Sequence, residues 1–311
     1  MAKLSFLNEV SYNQQTVLTV GTFDGVHCGH RELIETVVEK ADEKNARSVI
    51  VTFDPHPREI INPGDNAIRM LTTLDERCQL MAEIGVDEMV VIPFNRDFSL
   101  LTSEEFVRDV ISEKIGIAEF VIGYDHHFGR NREGTIETVQ KMGEQIGFET
   151  HVVSKQEVNN LTVSSSKIRK TLMEEGNVKL ANRLLGRPYL LHGTVVHGDK
   201  RGKEIGFPTA NIKPDHARKV VPRAGVYAVN VVVEGQEYGG MMNIGYRPTF
   251  GDEHEETLEV NIFDFNKEIY GKAIQIRFID RIRDEKKFNG VEELIEQLHS
   301  DKKVAEEILK S

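Results

Sequence analysis

Two histidines, His27 and His30, lie three residues apart, shortly after the apolar run 17–20 and a turn that contains Gly21 and Gly25. Residues at i and i+3 share one face of a helix. The start of a helix attracts phosphate, because its first N–H groups are unpaired and carry partial positive charge. The pattern therefore predicts a phosphate clamp, in which both imidazoles donate hydrogen bonds as charge develops on phosphate oxygens.

Other chemistries fit this stretch less well. No carboxylate or third ligand lies at a spacing that would complete a metal site around the histidine pair. The Lys-Ser/Thr of a Walker A loop is absent. Cys28, one of two cysteines in the chain, lies beside the histidines. No neighbouring pattern supports thiol chemistry, so we interpret Cys28 as a small residue on the first helical turn.

The elements that position the histidines follow an alternating pattern. We predict strands at 17–20, 48–53, 89–92, 120–123 and 150–153. Helical stretches separate them, and capping boxes at Thr73/Glu76 and Thr102/Glu105 indicate two helix starts. Such alternation predicts an α/β, Rossmann-like domain with a parallel sheet. Ligands of these sheets bind beyond the carboxyl ends of the strands, where the histidines lie.

The second part of the chain has a different pattern. Short β runs with turn residues extend from Leu190 to Ile279, and "VEGQEY" indicates a hairpin. We predict a small antiparallel β-barrel followed by C-terminal helical segments, "VEELIEQLHS" and "KVAEEILK". Between the parts we expect two helices joined at Gly176–Asn177. We place the domain boundary near Leu185, which gives domains 1–185 and 186–311.

Charge limits the classes of partner. The 311-residue chain has a net charge of −11, which argues against non-specific nucleic-acid binding. It has no apolar run long enough for a membrane span and no apolar signal-peptide core, so we expect a cytoplasmic protein. Between His197 and Arg223 there are seven Lys or Arg and three Asp or Glu. This excess of four positive charges fits either a small anionic ligand or a solvated basic loop.

The motifs, in their order and spacing, resemble those of a known enzyme family. "GTFDGVHCGH" resembles the HxGH nucleotidyltransferases. The wider set resembles the bacterial bifunctional riboflavin kinases/FAD synthetases. Its further members are "TFDPHP", "GYDHHFGRNREG", "VSSSKIRK", "GTVVHGDKRGKEIGFPTANI", "GVYAV", "NIGYRPTF" and "LEVNIFDFNKEIYG". The resemblance extends over nearly the whole chain.

For the N-terminal half, the resemblance implies transfer of AMP from ATP to FMN, with FAD and pyrophosphate as products. His27 and His30 would stabilise the phosphates in the transition state. Nucleotide or phosphate contacts would come from Phe23, Asp24, Gly25, Ser164 and Arg169. Without the resemblance, "SSSKIR" fits a capped helix with a solvated basic face at least as well.

The resemblance also implies a flavin pocket formed by Phe53, Asp54, Asp125 and Phe128. An aromatic ring suits the flat isoalloxazine. Two positions differ from the family pattern. His126 replaces a frequent aromatic residue, and Lys167 replaces a frequent arginine, which keeps the charge but loses the bidentate geometry.

For the C-terminal half, the resemblance implies phosphorylation of riboflavin to FMN by ATP, with Mg²⁺ or another divalent cation. Nucleotide contacts are expected at Gly198, Gly202, Phe207 and Pro208. Thr209 and Asn211 offer the hard oxygen donors that Mg²⁺ prefers, and their spacing places them on one side of an extended segment. Glu259 matches the catalytic base. Asn261 replaces a frequent histidine, with no expected consequence for proton transfer.

Two other functions fit part of this motif pattern. The barrel could be a flavin-binding regulatory module without catalysis, although Thr209, Asn211 and Glu259 argue against that. The protein could instead adenylylate another phosphate-bearing acceptor, such as a pantetheine phosphate, but the barrel does not fit that activity. The small-molecule partners expected for the bifunctional enzyme are riboflavin, FMN, FAD, ATP, ADP and pyrophosphate.

Overall fold

The computed structural model describes residues 2–61, 64, 68–124, 127–154, 157–158, 161–198, 202, 205–248 and 254–310. The chain forms two compact units, Met1–Ser165 and Ser166–Ser311. Within the described residues, no helix is long and apolar enough to cross a membrane.

The first unit is built on a six-stranded sheet whose neighbouring strands are all parallel. The strands are β1 (Lys3–Phe6), β2 (Thr16–Val20), β3 (Arg47–Asp54), β4 (Glu88–Pro93), β5 (Glu119–Gly123) and β6 (Glu149–Val153). Their spatial order is β1-β4-β3-β2-β5-β6. The order reverses at β2, which pairs with β3 on one side and β5 on the other. The chain leaving β2 therefore enters the crevice where open α/β sheets bind ligands.

Helices connect the strands. They are α1 (Cys28–Lys44), α2 (Pro57–Ile61), α3 (Leu74–Ile84), α4 (Ser103–Glu105), which continues as a π-helical stretch (Phe106–Ile115), and α5 (Ile136–Ile146). Both predicted capping boxes are present, at Thr73 and at Thr102. The unit also contains two short 3-10 helices, Phe98–Leu100 and Arg130–Arg132, and a short antiparallel pair, β7 (Glu157–Val158) and β8 (Leu161–Thr162).

The sheet is covered on both faces. Val17 of β2 packs in one apolar cluster with Ile34 of α1, whereas its neighbour Leu18 packs in a second cluster with Ile111 and Val139. All five side chains are fully buried. Adjacent residues of a strand point to opposite faces, so the two clusters are the two sides of a three-layer α/β/α domain. This confirms the predicted Rossmann-like class.

The second unit contains a closed barrel of six antiparallel strands, in the order β10-β13-β12-β11-β14-β9. The strands are β9 (Tyr189–Val196), β10 (Ala210–Pro214), β11 (Gly225–Val233), β12 (Gln236–Pro248), β13 (His254–Ile262) and β14 (Ala273–Arg283). The predicted hairpin joins β11 to β12 through Glu234 and Gly235, both with positive φ. The barrel confirms the expected fold of the C-terminal half.

In the part of the second half that the structure describes, helical segments accompany the barrel. They are α6 (Ser165–Lys170) with its π-helical continuation (Thr171–Glu175), α7 (Val178–Leu185) and α8 (Val291–Leu309). The joint at Gly176–Asn177 lies where the sequence predicts it, because Gly176 adopts φ 65° and Asn177 caps α7. The two C-terminal helical patterns form one continuous helix, α8, rather than two.

Candidate active sites

His27 is the N-cap residue of the 17-residue helix α1. Its Nδ1 accepts a hydrogen bond from the backbone N–H of His30 at 3.2 Å. The two imidazoles stack with their ring centroids 3.6 Å apart and 19° between their planes. Because Nδ1 acts as an acceptor, the neutral ring of His27 carries its proton on Nε2. The sequence motif thus becomes a pair of adjacent imidazoles at a phosphate-attracting helix start.

The loop before α1 is held in an uncommon conformation. Phe23 and Val26 have φ values of 46° and 39°, and Gly25 has 87°. A left-handed backbone is costly for a β-branched residue such as Val26, and persists only where the surroundings enforce it. Phe23 is 2% exposed, and its ring lies edge-on to His30 with centroids 5.2 Å apart. The buried Phe23 side chain therefore fixes the loop against the second histidine.

Asp24 lies fully buried beside this loop. Its carboxylate accepts hydrogen bonds from the backbone N–H groups of Leu71 (3.0 Å) and Thr72 (2.9 Å), and from the Thr72 hydroxyl (3.1 Å). The Thr72 Oγ1 in turn accepts from the N–H of Gly25 at 2.9 Å. The structure thus uses the Asp24 side chain to attach the loop to the segment before α3. A direct contact of Asp24 with nucleotide stays a prediction.

Arg77 joins the ends of two central strands. It is 2% exposed, and its Nη1 donates to the carbonyl oxygen of Thr22 (2.9 Å) and to Oγ1 of Thr52 (3.1 Å). Burial lowers the pKa of Arg77, while the nearby carboxylates of Asp24 and Asp54 act in the opposite direction. Arg77 belongs to none of the sequence motifs from which the site was predicted.

A sequence signal for Arg77 does exist. It precedes the buried Met81 by four residues, so the two side chains share the inward face of α3. Thr72 was missed as well, since it adjoins the capping Thr73 and gives no signal of its own.

The serine-rich motif meets the opening motif through Ser165, whose hydroxyl donates to the backbone carbonyl of Asp24 at 2.8 Å. The resemblance implies a phosphate contact for the neighbouring Ser164, which is exposed. Arg169 lies half-buried on α6, within the second compact unit. The assigned contacts of Ser164 and Arg169 with ATP phosphates stay predictions.

The expected flavin residues lie near the ends of β3 and β5. Phe53 is half-buried, and its ring neighbours Phe98 and Phe106, with centroids 6.1 and 6.5 Å away. Asp54 is exposed at the end of β3. Phe128 is only 8% exposed and packs in the core below the sheet. Phe53 and Asp54 are thus presented at the carboxyl edge, whereas Phe128 supports the fold beneath it.

The expectations for Asp125 and His126 lie outside the described residues, as do Lys200, Arg201 and Lys203 of the basic stretch. Lys167 lies on α6 and is half-buried. None of the flavin contacts is tested by this geometry.

The residues expected at the kinase site come together at two paired strands of the barrel, with Thr209 immediately before β10. Asn211 of β10 is directly opposite Glu259 of β13 in the strand register. The Thr209 hydroxyl donates to Oε2 of Glu259 at 3.2 Å. Two neutral oxygen-bearing side chains and one carboxylate thus share one small region. Hard oxygen donors of this kind fit Mg²⁺, and the described residues contain no group of three or more His, Cys, Asp or Glu that could hold a metal.

Two glycines bring the preceding loop close to this region. A Cβ on Gly198 would lie 2.1 Å from the Asn211 amide nitrogen, and a Cβ on Gly202 would lie 2.3 Å from the Phe207 carbonyl oxygen. Any other residue would displace the Asn211 side chain at position 198 and would clash with the Phe207 backbone at position 202. Phe207 is 6% exposed and belongs to an apolar cluster with Phe263, whereas Pro208 is exposed. The Phe207 ring is therefore an anchor in the core, and its predicted nucleotide contact is untested.

Comparison with known proteins matches both halves. The family model of FAD synthetase covers residues 9–167, and that of riboflavin kinase covers residues 185–309. A bifunctional riboflavin kinase/FMN adenylyltransferase of Bacillus subtilis (strain 168) is 40% identical over 294 residues, 94% of this chain and 92% of the relative. The protein of the same description from Escherichia coli (strain K12) is 37% identical over 292 residues, again 94% and 92%.

A solved structure shares the whole architecture. It is described as a macrolide-efflux protein from Streptococcus pneumoniae, and aligns with a TM-score of 0.90 and 34% identity over 96% of both chains. The α/β unit with its histidine pair and the barrel with its Thr-Asn-Glu group define a two-module nucleotide-dependent transferase. More particularly, the chain belongs to the family of bifunctional riboflavin kinase/FMN adenylyltransferases. It phosphorylates riboflavin to FMN and adenylylates FMN to FAD, with ATP as the co-substrate of both reactions.

Proposed function

We propose that adenylyl transfer takes place at the start of α1, with His27 and His30 donating hydrogen bonds to phosphate oxygens. An oxygen of the FMN phosphate attacks the α-phosphorus of ATP. The bond from that phosphorus to the bridging oxygen breaks, and pyrophosphate leaves with the electron pair. The stacked imidazoles at the N-cap of α1 carry this proposal, because fixed donors stabilise charge that builds up in the transition state.

The stereochemistry at phosphorus tests this direct displacement. With ATP made chiral at the α-phosphorus by sulfur substitution, a single in-line attack inverts the configuration found in the FAD analogue. Retention would require two successive displacements through a covalent enzyme intermediate, and would remove the proposed mechanism.

We propose that Glu259 is the base of the kinase reaction. Its carboxylate accepts the proton of the riboflavin 5′-hydroxyl, the hydroxyl oxygen attacks the γ-phosphorus of ATP, and ADP leaves. Thr209 and Asn211 would hold a divalent cation through their side-chain oxygens. When bound, Mg²⁺ neutralises charge on the phosphate oxygens. The hydrogen bond between Thr209 and Glu259 supports the proposal, since it joins the Glu259 carboxylate to one of the expected cation ligands.

Removal of the cation tests the second part of this assignment. EDTA in excess over Mg²⁺ should abolish FMN formation from riboflavin, and added Mg²⁺ should restore it. Phosphoryl transfer that continues at its full rate in EDTA would contradict a cation site at Thr209 and Asn211.

We propose that the two reactions divide between domains 1–185 and 186–311. We further propose that the protein works in the cytoplasm on small molecules and has no nucleic-acid partner. The net charge of −11 supports this, because an acidic protein repels polyanions. Fluorescence anisotropy with a labelled DNA duplex at low salt tests it: binding in the micromolar range would contradict it.

A further inference from the structure

We propose that Asn261 is a positioning residue of the kinase site, which holds the Thr209 segment in place against Glu259. The Asn261 Nδ2 donates a hydrogen bond of 2.7 Å to the carbonyl oxygen of Pro208, the residue immediately before Thr209. The inference rests on the kinase roles proposed above for Thr209 and Glu259. It gives a function to a position that the motif pattern left without one.

Alternate residues along β13 and just beyond it contact successive residues of the segment 207–209. Glu259 and Asn261 lie on one face of the strand, and Val260 between them is fully buried on the other face. Glu259 accepts from the hydroxyl of Thr209, and Asn261 donates to Pro208. Phe263, which immediately follows the end of β13, shares an apolar cluster with Phe207. β13 and the residue after it thus contact the three consecutive residues Phe207, Pro208 and Thr209, and Asn261 supplies the middle contact.

The middle contact is made to a proline, Pro208, so it can involve only the carbonyl group of that residue's main chain. Pro208 has no backbone N–H, so its carbonyl is the only main-chain polar group through which a neighbour holds it. Asn261 is 7% exposed although it lies on the same face as the half-exposed Glu259. The hydrogen bond to the Pro208 carbonyl places this buried amide against residues 207–209. Loss of the amide donor therefore frees the carbonyl of Pro208, the residue immediately before Thr209.

Three substitutions at position 261 distinguish the effect of the donated hydrogen bond from the effect of side-chain packing. Asn261→Asp keeps the shape but replaces the donor with a carboxylate that repels the carbonyl. Asn261→Leu keeps a similar volume without any donor. Asn261→His restores a ring N–H donor. The matched control is Asn230→Asp, because Asn230 lies on β11, across the closed barrel from β10.

The experiment measures the dissociation constant of ADP with Mg²⁺ by calorimetry, and kcat and KM for ATP with riboflavin, in the full-length protein. We expect Asn261→Asp and Asn261→Leu to weaken ADP binding and to lower kcat/KM by about tenfold each, as for loss of one buried hydrogen bond. Asn261→His should remain within about threefold of wild type, because the donor is restored. The control Asn230→Asp should match wild type in both measurements.

FAD formation from FMN and the midpoint of thermal unfolding are recorded on the same samples. If Asn261→Asp unfolds at a lower temperature, its loss of activity could come from destabilisation. The role of the donor is then judged by comparing ADP affinity and kcat/KM of Asn261→Leu with those of Asn261→His, since leucine preserves apolar packing. Wild-type ADP affinity and kcat/KM in the Leu variant would overturn the proposal. A failure of the underlying site assignment has a different signature, because Glu259→Gln would then keep its kinase rate whatever the Asn261 variants do.

Discussion

The two candidate sites present different chemical groups to a phosphate-bearing ligand. At the start of α1, the described groups are imidazoles, the end of a helix and a buried loop, and the Asp24 carboxylate beside them is fully engaged by Leu71 and Thr72. On the barrel, a half-exposed carboxylate, Glu259, lies next to the Thr209 hydroxyl. The first site offers hydrogen-bond donors, whereas the second combines neutral side-chain oxygens with a carboxylate.

The nucleophiles explain this difference. The FMN phosphate is already ionised at neutral pH, since its second pKa is about 6, so adenylyl transfer needs no base and depends on stabilising phosphate charge. The riboflavin hydroxyl must lose a proton to attack, so its site needs an acceptor. The two variants below should therefore each remove one reaction and leave the other intact.

The largest effect is expected for Glu259→Gln. The amide keeps the shape of the side chain but cannot accept the hydroxyl proton, so FMN formation should fall by about a hundredfold or more. Chromatography of the flavins formed from riboflavin and ATP measures it. FAD formation from supplied FMN is the internal control and should be unchanged. Near-normal FMN synthesis would remove Glu259 from the mechanism.

His30→Ala should have the converse effect. Loss of one transition-state donor should lower FAD formation from FMN by about a hundredfold, while riboflavin is still converted to FMN. Both products are assayed separately on one preparation. FAD synthesis within a few-fold of wild type would show that the histidine pair is structural.

A smaller effect is expected for Arg77→Lys, which keeps the charge but loses the planar group that joins Thr22 to Thr52. We expect about a tenfold decrease in FAD formation, since one buried hydrogen bond is lost beside the loop. The kinase rate of the same sample should not change. An equal decrease in both reactions would indicate general destabilisation instead.

The smallest effect on FMN formation is expected from cutting the chain. Fragments 166–311 and 186–311 should both make FMN and no FAD. The shorter one lacks α7, whose buried Leu184 and Leu185 contribute roughly 1.5–3 kcal/mol each. We therefore expect it to unfold at a markedly lower temperature, as circular dichroism would show. A folded 166–311 fragment that binds riboflavin but makes no FMN would contradict an independent kinase.

Much of the fold was predictable because its signals are local. The central strands are continuous apolar runs, and the capping boxes at Thr73 and Thr102 are read directly from the sequence. Strand β1 was missed because it is a four-residue edge strand with only one buried position, Ser5. The π-helical stretches give no distinct sequence pattern.

The candidate sites were predicted only in part. The histidine pair was predicted from its spacing, whereas Glu259 was predicted only from the resemblance to the family. The residues that position them, Arg77, Thr72 and Asn261, act across tens of residues of sequence. Such contacts depend on tertiary packing, and spacing within a motif cannot show them. For the same reason, the burial of Asp24 and of the Phe207 ring became visible only in the structure.

The central claim is that separate residues perform the two reactions, and a complementation assay tests it most directly. Full-length His30→Ala and Glu259→Gln are mixed in equal amounts with riboflavin, ATP and Mg²⁺, and FAD is measured over time. Neither variant alone should produce appreciable FAD, whereas the mixture should, because the first supplies FMN and the second adenylylates it. If instead each variant has lost both reactions, so that the mixture makes neither FMN nor FAD, the division of labour is wrong.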